Sequence, residues 1–577
     1  MHGPTRRRRW LRATALAATV TLLAAACGGG TAEAPEDGAA PSAAGGDTDR
    51  ELVIWAGSQT PITANFNPFN AAGVLHLANG GIYETLFAYN KAADTEPVPL
   101  LGTDFAWSED GTELTVTLRD GVEWNDGEPF TTDDVVYSFL NEASKPAYLA
   151  DAVATDDSAV LLSFDEPQFT NEFALLGATY MVPEHVFSQH EDAEDAEAEL
   201  SGIVAWPNAE SPVGTGPYLV ETTSDAAYTA VANPGYWGGE PAVKNLRYVG
   251  IDSNQSAEDL LATGQVDWAT MFVPEPERIE AAGYGYLNTP VDPTVLYTCA
   301  NADLGCEGDQ TDVAVRQALS VAIDRGQIAE KAFVGLTADI SPTFALLGRD
   351  DKWIADGMPA AIEQSADADQ AGQILEDAGY EKDADGFYGK DGEPIELTLT
   401  SVDGWSDYNN AAKLIEEQAA AAGIKVIAST VSWNEFADSR TGGEFQLVMG
   451  GVIGTSSADP YQIYRDWFSG DYTTPVGTAL EPGFWNFSRY ANDEVDAAVK
   501  VAAGTDDESV KADAYATVQE HIVHDVPYIP LVVNATQTFY NSTDYTGWPT
   551  EEDLYLFPPA WQGPTSGVIL GNLTGTE

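Results

Sequence analysis

Residues 114–135 read Leu114-Thr115-Val116-Thr117-Leu118-Arg119-Asp120-Gly121-Val122-Glu123-Trp124-Asn125-Asp126-Gly127-Glu128-Pro129-Phe130-Thr131-Thr132-Asp133-Asp134-Val135. Leu114, Val116 and Leu118 alternate with Thr115, Thr117 and Arg119, the period of a half-buried strand. Gly121 and Asp126-Gly127 then supply turns. Thr131 to Asp134 offer capping side chains ahead of Val135, Val136 and Phe139, which predicts a helix start. Strand, turns and capped helix within one short stretch set the plan for the rest.

The same alternation continues downstream. Residues 411–422 are rich in strong helix formers, Gly423 suits a left-handed cap, and Ile424-Lys425-Val426-Ile427 follows as a strand. Residues 445–448 form another strand before Gly450-Gly451. Repeated strand–helix crossovers define an α/β fold. With 577 residues, one hydrophobic core is too few, and two or three lobes are expected. None of the breaks reads as a long linker, so the lobes should exchange strands.

The first residues differ in kind. Arg6, Arg7, Arg8, Arg9 and Arg12 precede a fourteen-residue apolar run, 13–26, which ends Ala24-Ala25-Ala26 before Cys27. This order resembles a bacterial lipoprotein signal, with Ala24 where that pattern prefers Leu, and implies lipidation of Cys27. The run is shorter than the roughly 20 residues a membrane span needs. An ordinary secretory cleavage, with Cys27 lost or left as a thiol, is the other reading. Arg7-Arg8-Arg9-Trp10-Leu11-Arg12 looks like a twin-arginine export motif. Residues 28–48 hold mostly Gly, Ala, Pro, Ser, Thr, Asp and Glu, too little apolar surface to offset ordering entropy, so a flexible tether is expected there. An exported protein follows, on the outer face of the cell membrane by its lipid anchor or in the periplasmic space.

Charge narrows the partners. Without the five signal arginines, 21 basic residues face 91 acidic ones. Such a field repels nucleic acid and anionic membrane surfaces. It suits an exported surface adapted to salty surroundings. Besides Cys27 the chain has only Cys299 and Cys306, close in sequence with no further Cys or His beside them. A structural loop disulfide is expected from that spacing in an oxidising compartment.

Further segments carry a resemblance. Ile82-Tyr83-Glu84-Thr85-Leu86-Phe87, the stretch from Leu118 to Val135, Gly214-Thr215-Gly216-Pro217-Tyr218, Asn233-Pro234-Gly235-Tyr236-Trp237, Gly264-Gln265-Val266-Asp267, Val315-Arg316-Gln317-Ala318-Leu319 with Ala322-Ile323-Asp324, and Asp525-Val526-Pro527-Tyr528-Ile529-Pro530 occur in that order. The set resembles the extracytoplasmic solute-binding proteins of the oligopeptide and dipeptide ABC importer family, family 5. The resemblance implies a two-lobed periplasmic-binding-protein fold of class II type, with an extra subdomain in the first lobe and the ligand cleft between lobes. Residues 49–292 plus 532–577 would form lobe I, and 293–531 lobe II. It also implies capture of a short oligomer by lobe closure, delivery to a membrane permease and a monomeric state. A surface sensor or adhesin on the same fold is the alternative. Arg119 and Asp126 can pair or cap, and the signature residues build the lobe without touching ligand.

Peptide-binding relatives of that family fix the peptide's amino terminus with a carboxylate in a glycine-rich segment before an Asp-Pro pair. Here the segment reads Gly450-Gly451-Val452-Ile453-Gly454-Thr455-Ser456-Ser457-Ala458-Asp459-Pro460-Tyr461, with hydroxyls where the acid would stand. An ammonium buried without a partner is costly, so neutral hydroxyls point to a neutral ligand unless Asp459 serves. The 14 tryptophans include several in loop-like contexts, among them Trp405, Trp433, Trp467, Trp485, Trp548 and Trp561. Flat aromatic faces beside neutral polar groups suit an oligosaccharide. Relatives that resemble the chain around Thr546-Gly547-Trp548-Pro549-Thr550-Glu551 bind β-linked oligosaccharides. The candidate ligand contacts are therefore Trp405, Trp433, Thr455, Ser456, Ser457, Asp459, Tyr461 and Trp485, with Asn65 and Asn67 from the turn Asn65-Phe66-Asn67-Pro68, for either an oligopeptide or an oligosaccharide.

No catalytic constellation is present in the sequence: there is no G-x-S-x-G, P-loop, H-E-x-x-H or G-x-G-x-x-G. Neither a cofactor nor a metal is expected. His521 and His524 beside Glu520 read as a surface or capping pair. Asp383-Ala384-Asp385-Gly386 lacks the Gly and Glu that a calcium loop needs at its sixth and twelfth places, where Tyr388 and Pro394 stand, and reads as a hairpin turn.

Overall fold

The computed structural model describes residues 46–70, 74–190, 196–454, 456–480 and 484–576. The signal, Cys27, the tether as far as residue 45 and Thr455 lie outside them. In the opening stretch, Glu113–Leu118 is an inner strand of a four-stranded antiparallel sheet, with Leu114 and Val116 fully buried. Gly121 and Gly127 hold φ of +72° and +92°, the left-handed region that glycine enters without Cβ strain. Thr131 caps the helix Thr132–Leu140 through a reciprocal capping box with Asp134. Arg119 and Asp126 do not pair. The Arg119 guanidinium lies 4.1 Å over the Trp237 ring and Nε donates to Leu100 O, whereas Asp126 meets the Glu128 amide and His185.

This sheet, ordered Gly102–Trp107, Glu113–Leu118, Ala159–Phe164 and Leu149–Asp156, has its own core of Leu114, Trp124, Phe139, Leu162 and Leu176. It is an insertion in lobe I, whose main sheet is seven-stranded. That sheet runs Gly285–Asn288, Gln537–Tyr540, Trp268–Thr270, Thr48–Trp55, Val243–Val249, Ala227–Ala232, Tyr218–Thr223. Gln537–Tyr540 pairs antiparallel with the strands on both of its sides.

Lobe II is built on a five-stranded sheet ordered Lys425–Val431, Glu396–Val402, Leu447–Gly451, Asp292–Thr298, Tyr528–Asn534. The chain thus passes between lobes after Asn288 and again after Asn534, so the strand ending at Asn534 extends lobe II slightly beyond the expected boundary at 531. The helix expected over 411–422 spans Ser406–Ala421, beginning directly after Trp405. Gly423 follows at φ +84° and leads into Lys425–Val431, parallel to Glu396–Val402. Asp383 and Gly386 turn the hairpin between Glu381–Lys382 and Tyr388–Lys390. Cys299 and Cys306 are joined by a disulfide, Cα to Cα 5.4 Å.

Candidate ligand-binding cleft

Where the lobes face each other, a cavity of about 610 Å³ is walled by Tyr89, Trp107 and Phe173 of lobe I and by Trp353, Ser457 and Lys511 of lobe II. A second space of about 220 Å³ shares Tyr89, Phe173 and Ser456 with it and extends toward Asn79, Tyr180 and Gln562. A narrow recess beneath holds Thr170, Asn171, Tyr461 and Arg465. The Asn79 side-chain oxygen is shielded from solvent and lacks a partner among the described residues. An acceptor in that state suits a ligand hydroxyl.

The lobe II wall starts where the strand Leu447–Gly451 ends and the chain runs through the glycine-rich segment to Asp459-Pro460. Pro460 precedes the turn Tyr461–Ile463, and Asp459 Oδ1 accepts the Tyr461 amide at 2.9 Å. The helix Glu508–Asp525, capped by Asp507, places Lys511 and Tyr515 one turn apart on one face. Tyr515 donates its hydroxyl to Asp459 Oδ1 at 2.5 Å, and Lys511 Nζ lies 3.3 Å from Oδ2. Desolvation and the Asp459 charge push the Tyr515 phenol far up, so it remains a donor. The Asp459 carboxylate is thus already matched by a cation and two neutral donors.

The lobe I wall comes from Phe169–Asn171 and Glu172–Leu176. Tyr89 donates to Glu172 Oε1 at 3.0 Å and packs edge-on against Phe173. Burial pushes the Glu172 carboxyl up, opposed by the Tyr89 bond and by the charge of Lys511 across the cleft. Arg465 Nη1 donates to Asn171 Oδ1 at 2.7 Å, joining the two walls, while its Nε is held by Asp466 at 2.6 Å.

Among the sequence-derived candidates, Ser456, Ser457, Asp459 and Tyr461 converge on this cleft. Trp405 lines a separate pocket of about 260 Å³ with Tyr408 and Asn534, facing Phe272 and Asn254 of lobe I. Trp433 opens a helix, Trp433–Gly442, instead of lying in a loop; the residue is 51 % exposed, its ring 5.7 Å from that of Trp405. Trp485 stacks on the buried Trp467 at 6.0 Å and packs against the lobe II core, so its visible role is packing. Trp548 likewise packs on Trp268. Asn65 and Asn67 stand apart from the cleft. Both are buried, and Asn67 Nδ2 donates to the carbonyls of Ile203 and Trp206, so these side chains fasten a lobe I turn. His521 lies between Asn492 and Glu494, and His524 meets Asp525; no metal-ligating cluster occurs among the described residues.

Tyr89, Trp107, Glu172, Phe173, Trp353 and Lys511 escaped the sequence reading. Only Lys511 had a local cue, its one-turn spacing from Tyr515 behind a capped helix start. The rest meet through tertiary contact.

Residues 96–474 match the family model of bacterial extracellular solute-binding proteins, family 5. The chain belongs to this family, which serves ABC importers by binding solutes and is not a family of enzymes. Among curated relatives, Protein XP55 of Streptomyces lividans is 28 % identical, with 97 % of this chain and 95 % of the relative covered. The dipeptide-binding protein of Escherichia coli K12 is 25 % identical, with 84 % and 90 % covered. Among solved structures, a periplasmic oligopeptide-binding protein of an ABC transporter from Thermotoga maritima superposes with a TM-score of 0.82 at 25 % identity, covering 92 % of this chain and 99 % of that one. The complex of AppA from Bacillus subtilis with a nonapeptide gives 0.70 at 20 % identity, covering 92 % and 100 %.

Proposed function

We propose that this chain is the lipid-anchored receptor of an ABC importer, capturing a short neutral oligomer, a β-linked oligosaccharide, by closing its lobes and presenting it to a membrane permease. The fold does not decide the cargo: the Thermotoga maritima relative has been crystallised with mannohexaose, and AppA with a nonapeptide. The observation that carries the reading is the state of Asp459, the one acid of the Asp-Pro segment, whose carboxylate is taken by Lys511 and Tyr515. What remains of that segment at the cavity is neutral Ser456 and Ser457, opposite the aromatic faces of Tyr89, Trp107 and Phe173, while Lys352 and Glu508 farther along the same wall are paired with each other. Rings with hydroxyls at their edges match such a lining. Closure follows if ligand contacts formed by both walls exist only in the closed form.

The second reading, an oligopeptide, is favoured by Asp94, Glu96 and Glu172 on the lobe I side of the same cavity, where an ammonium could find a counter-charge. Thermal shifts of the full chain with manno-, cello- and xylo-oligosaccharides and with di- to pentapeptides separate the two. A ligand at 100 times its Kd adds about 2.7 kcal/mol to the folded state. A response confined to glycans supports the first reading, and one confined to peptides replaces it with the second. Lipidation is tested by Cys27→Ala, which should move the protein from the membrane fraction to the soluble one.

A further inference from the structure

The surroundings of Asp459 bear on what the cleft refuses as well as what it takes. An ionised carboxylate has about four lone-pair positions. Here three are used by donors of the chain itself: the Tyr461 amide, the Tyr515 hydroxyl and the Lys511 ammonium. The side chains of Lys511 and Asp459 are only 14 % and 19 % exposed, yet both face the cavity. Lys511 is presented by the long helix Glu508–Asp525, so its position is set by a rigid element. Across the cavity Glu172, an acid of the facing wall that feels the charge of Lys511, is held by Tyr89.

We propose that Lys511 is a specificity-determining residue: its ammonium fills the cation position at Asp459 and so bars ligands that bring an amino group to that end of the cleft. The inference rests on the neutral-ligand reading above. A ligand ammonium approaching Asp459 meets a like charge at close range and gains the carboxylate only by displacing Lys511 from a largely shielded pair. Neutral hydroxyl-bearing oligomers meet no such opposition. Removing the ammonium takes away the cation in contact with Asp459 and leaves only the longer-range charge of Lys352, which is itself paired with Glu508, so the carboxylate becomes an anchor for an amine.

The test is calorimetric titration of the full-length protein, wild type, Lys511→Met and Lys511→Arg, with three probes: mannohexaose, tetra-alanine amide with a free amino terminus, and the same peptide N-acetylated. Wild type and Lys511→Arg are expected to show no preference for the free amine. Lys511→Met should bind the free-amine peptide at least about tenfold more tightly than the acetylated one, and Asp459→Asn added to Lys511→Met should abolish that gain. If Lys511→Met gains no amine preference while melting near the wild-type temperature, the proposal is overturned. A wild type that already prefers the free amine about tenfold overturns it equally. Lys511→Gln, which keeps a donor for Asp459, answers the same question if the Met variant does not fold. Mannohexaose failing on wild type while Lys511→Met acquires the amine preference counts against a manno-oligosaccharide cargo and leaves the role of Lys511 standing. Mannohexaose binding with no amine gain does the reverse.

Discussion

Lys91 of lobe I and Asp292, the first residue of the lobe II strand Asp292–Thr298, form an ion pair with Nζ 2.6 Å from Oδ1. The carbonyl of Lys91 also accepts from Arg349 Nη1 at 2.7 Å, and Arg349 is itself clamped by the buried Asp350. The side chain of Lys91 is only 7 % exposed. Residues 93–97, which line the cleft, therefore follow a residue pinned to the opposite lobe by both side chain and backbone.

Lys91→Met removes the charged hydrogen bond and keeps the aliphatic stem. It should cost about 2 kcal/mol, the range for a bond to a charged group, seen as a lower urea midpoint with unchanged slope. A midpoint equal to wild type would mean that the pair is mostly screened by solvent reaching Asp292.

Asn171, on the helical wall of lobe I, accepts a hydrogen bond from Arg465 of lobe II. Asn171→Ala leaves the Arg465–Asp466 pair intact and, within lobe I, removes the bond from Asn171 Nδ2 to Gln168 Oε1. Ligand affinity should fall by about 1 kcal/mol, fivefold or so, if the bond from Arg465 helps hold the closed form. Equal affinities for wild type and variant would assign the bond to both lobe positions or to neither.

Glu84 is buried in lobe I, where Trp237 Nε1 and the Tyr236 hydroxyl both donate to it at 2.9 Å. Burial pushes its carboxyl up to about 7 from an ordinary 4.5, with the donors and the charge of Arg119 pulling the other way. The fold binds this proton more tightly than the unfolded chain does. Its contribution is fully present below about pH 4.5 and is lost as pH rises through 7, a difference on the order of 3 kcal/mol. Glu84→Gln cannot lose a proton, so its stability relative to wild type should improve steadily between those limits. Parallel profiles for the two proteins across that window would show that the carboxyl is ionised throughout.

The disulfide between Cys299 and Cys306 closes a short loop beside the strand Asp292–Thr298, and both cysteines are buried. Replacing both with Ser should destabilise lobe II by about 2–3 kcal/mol without changing ligand affinity, since neither residue lines the cleft. Loss of affinity in a variant that remains folded would place the loop in the binding mechanism.

How far the sequence could be read differs between fold and site for a physical reason. The stretch from Leu114 to Val135 specifies its strand, turns and cap through near neighbours, and the helix and strand flanking Gly423 do likewise. Thr131 and Asp134 are close enough in sequence for their reciprocal cap to be visible as a pattern. The cleft is assembled from residues far apart in the chain. Ser456, Ser457 and Asp459 could be found because one segment carries them, whereas Tyr89 and Phe173, far apart in the chain, meet only through the packing of the inserted sheet of lobe I. Asn65 and Asn67 show the opposite error: amide side chains in a turn look like ligand contacts, yet Asn65 Oδ1 accepts the Asn67 amide and Asn67 Nδ2 satisfies the backbone carbonyls of residues 203 and 206. Tryptophan content was equally ambiguous, because Trp485 and Trp548 spend their faces on other aromatic rings.

The strand Gln537–Tyr540 sits between Trp268–Thr270 and Gly285–Asn288, which precede it by most of lobe II. During synthesis the latter strand therefore has no neighbour to join until nearly the whole polypeptide has emerged. The inserted sheet of residues 102–164 pairs only local strands and can form while the ribosome is still working on lobe II. Lobe I, though begun first, is finished last, and a ribosome stalled before residue 537 would release a chain with its second lobe's sheet complete and its first lobe's sheet split in two.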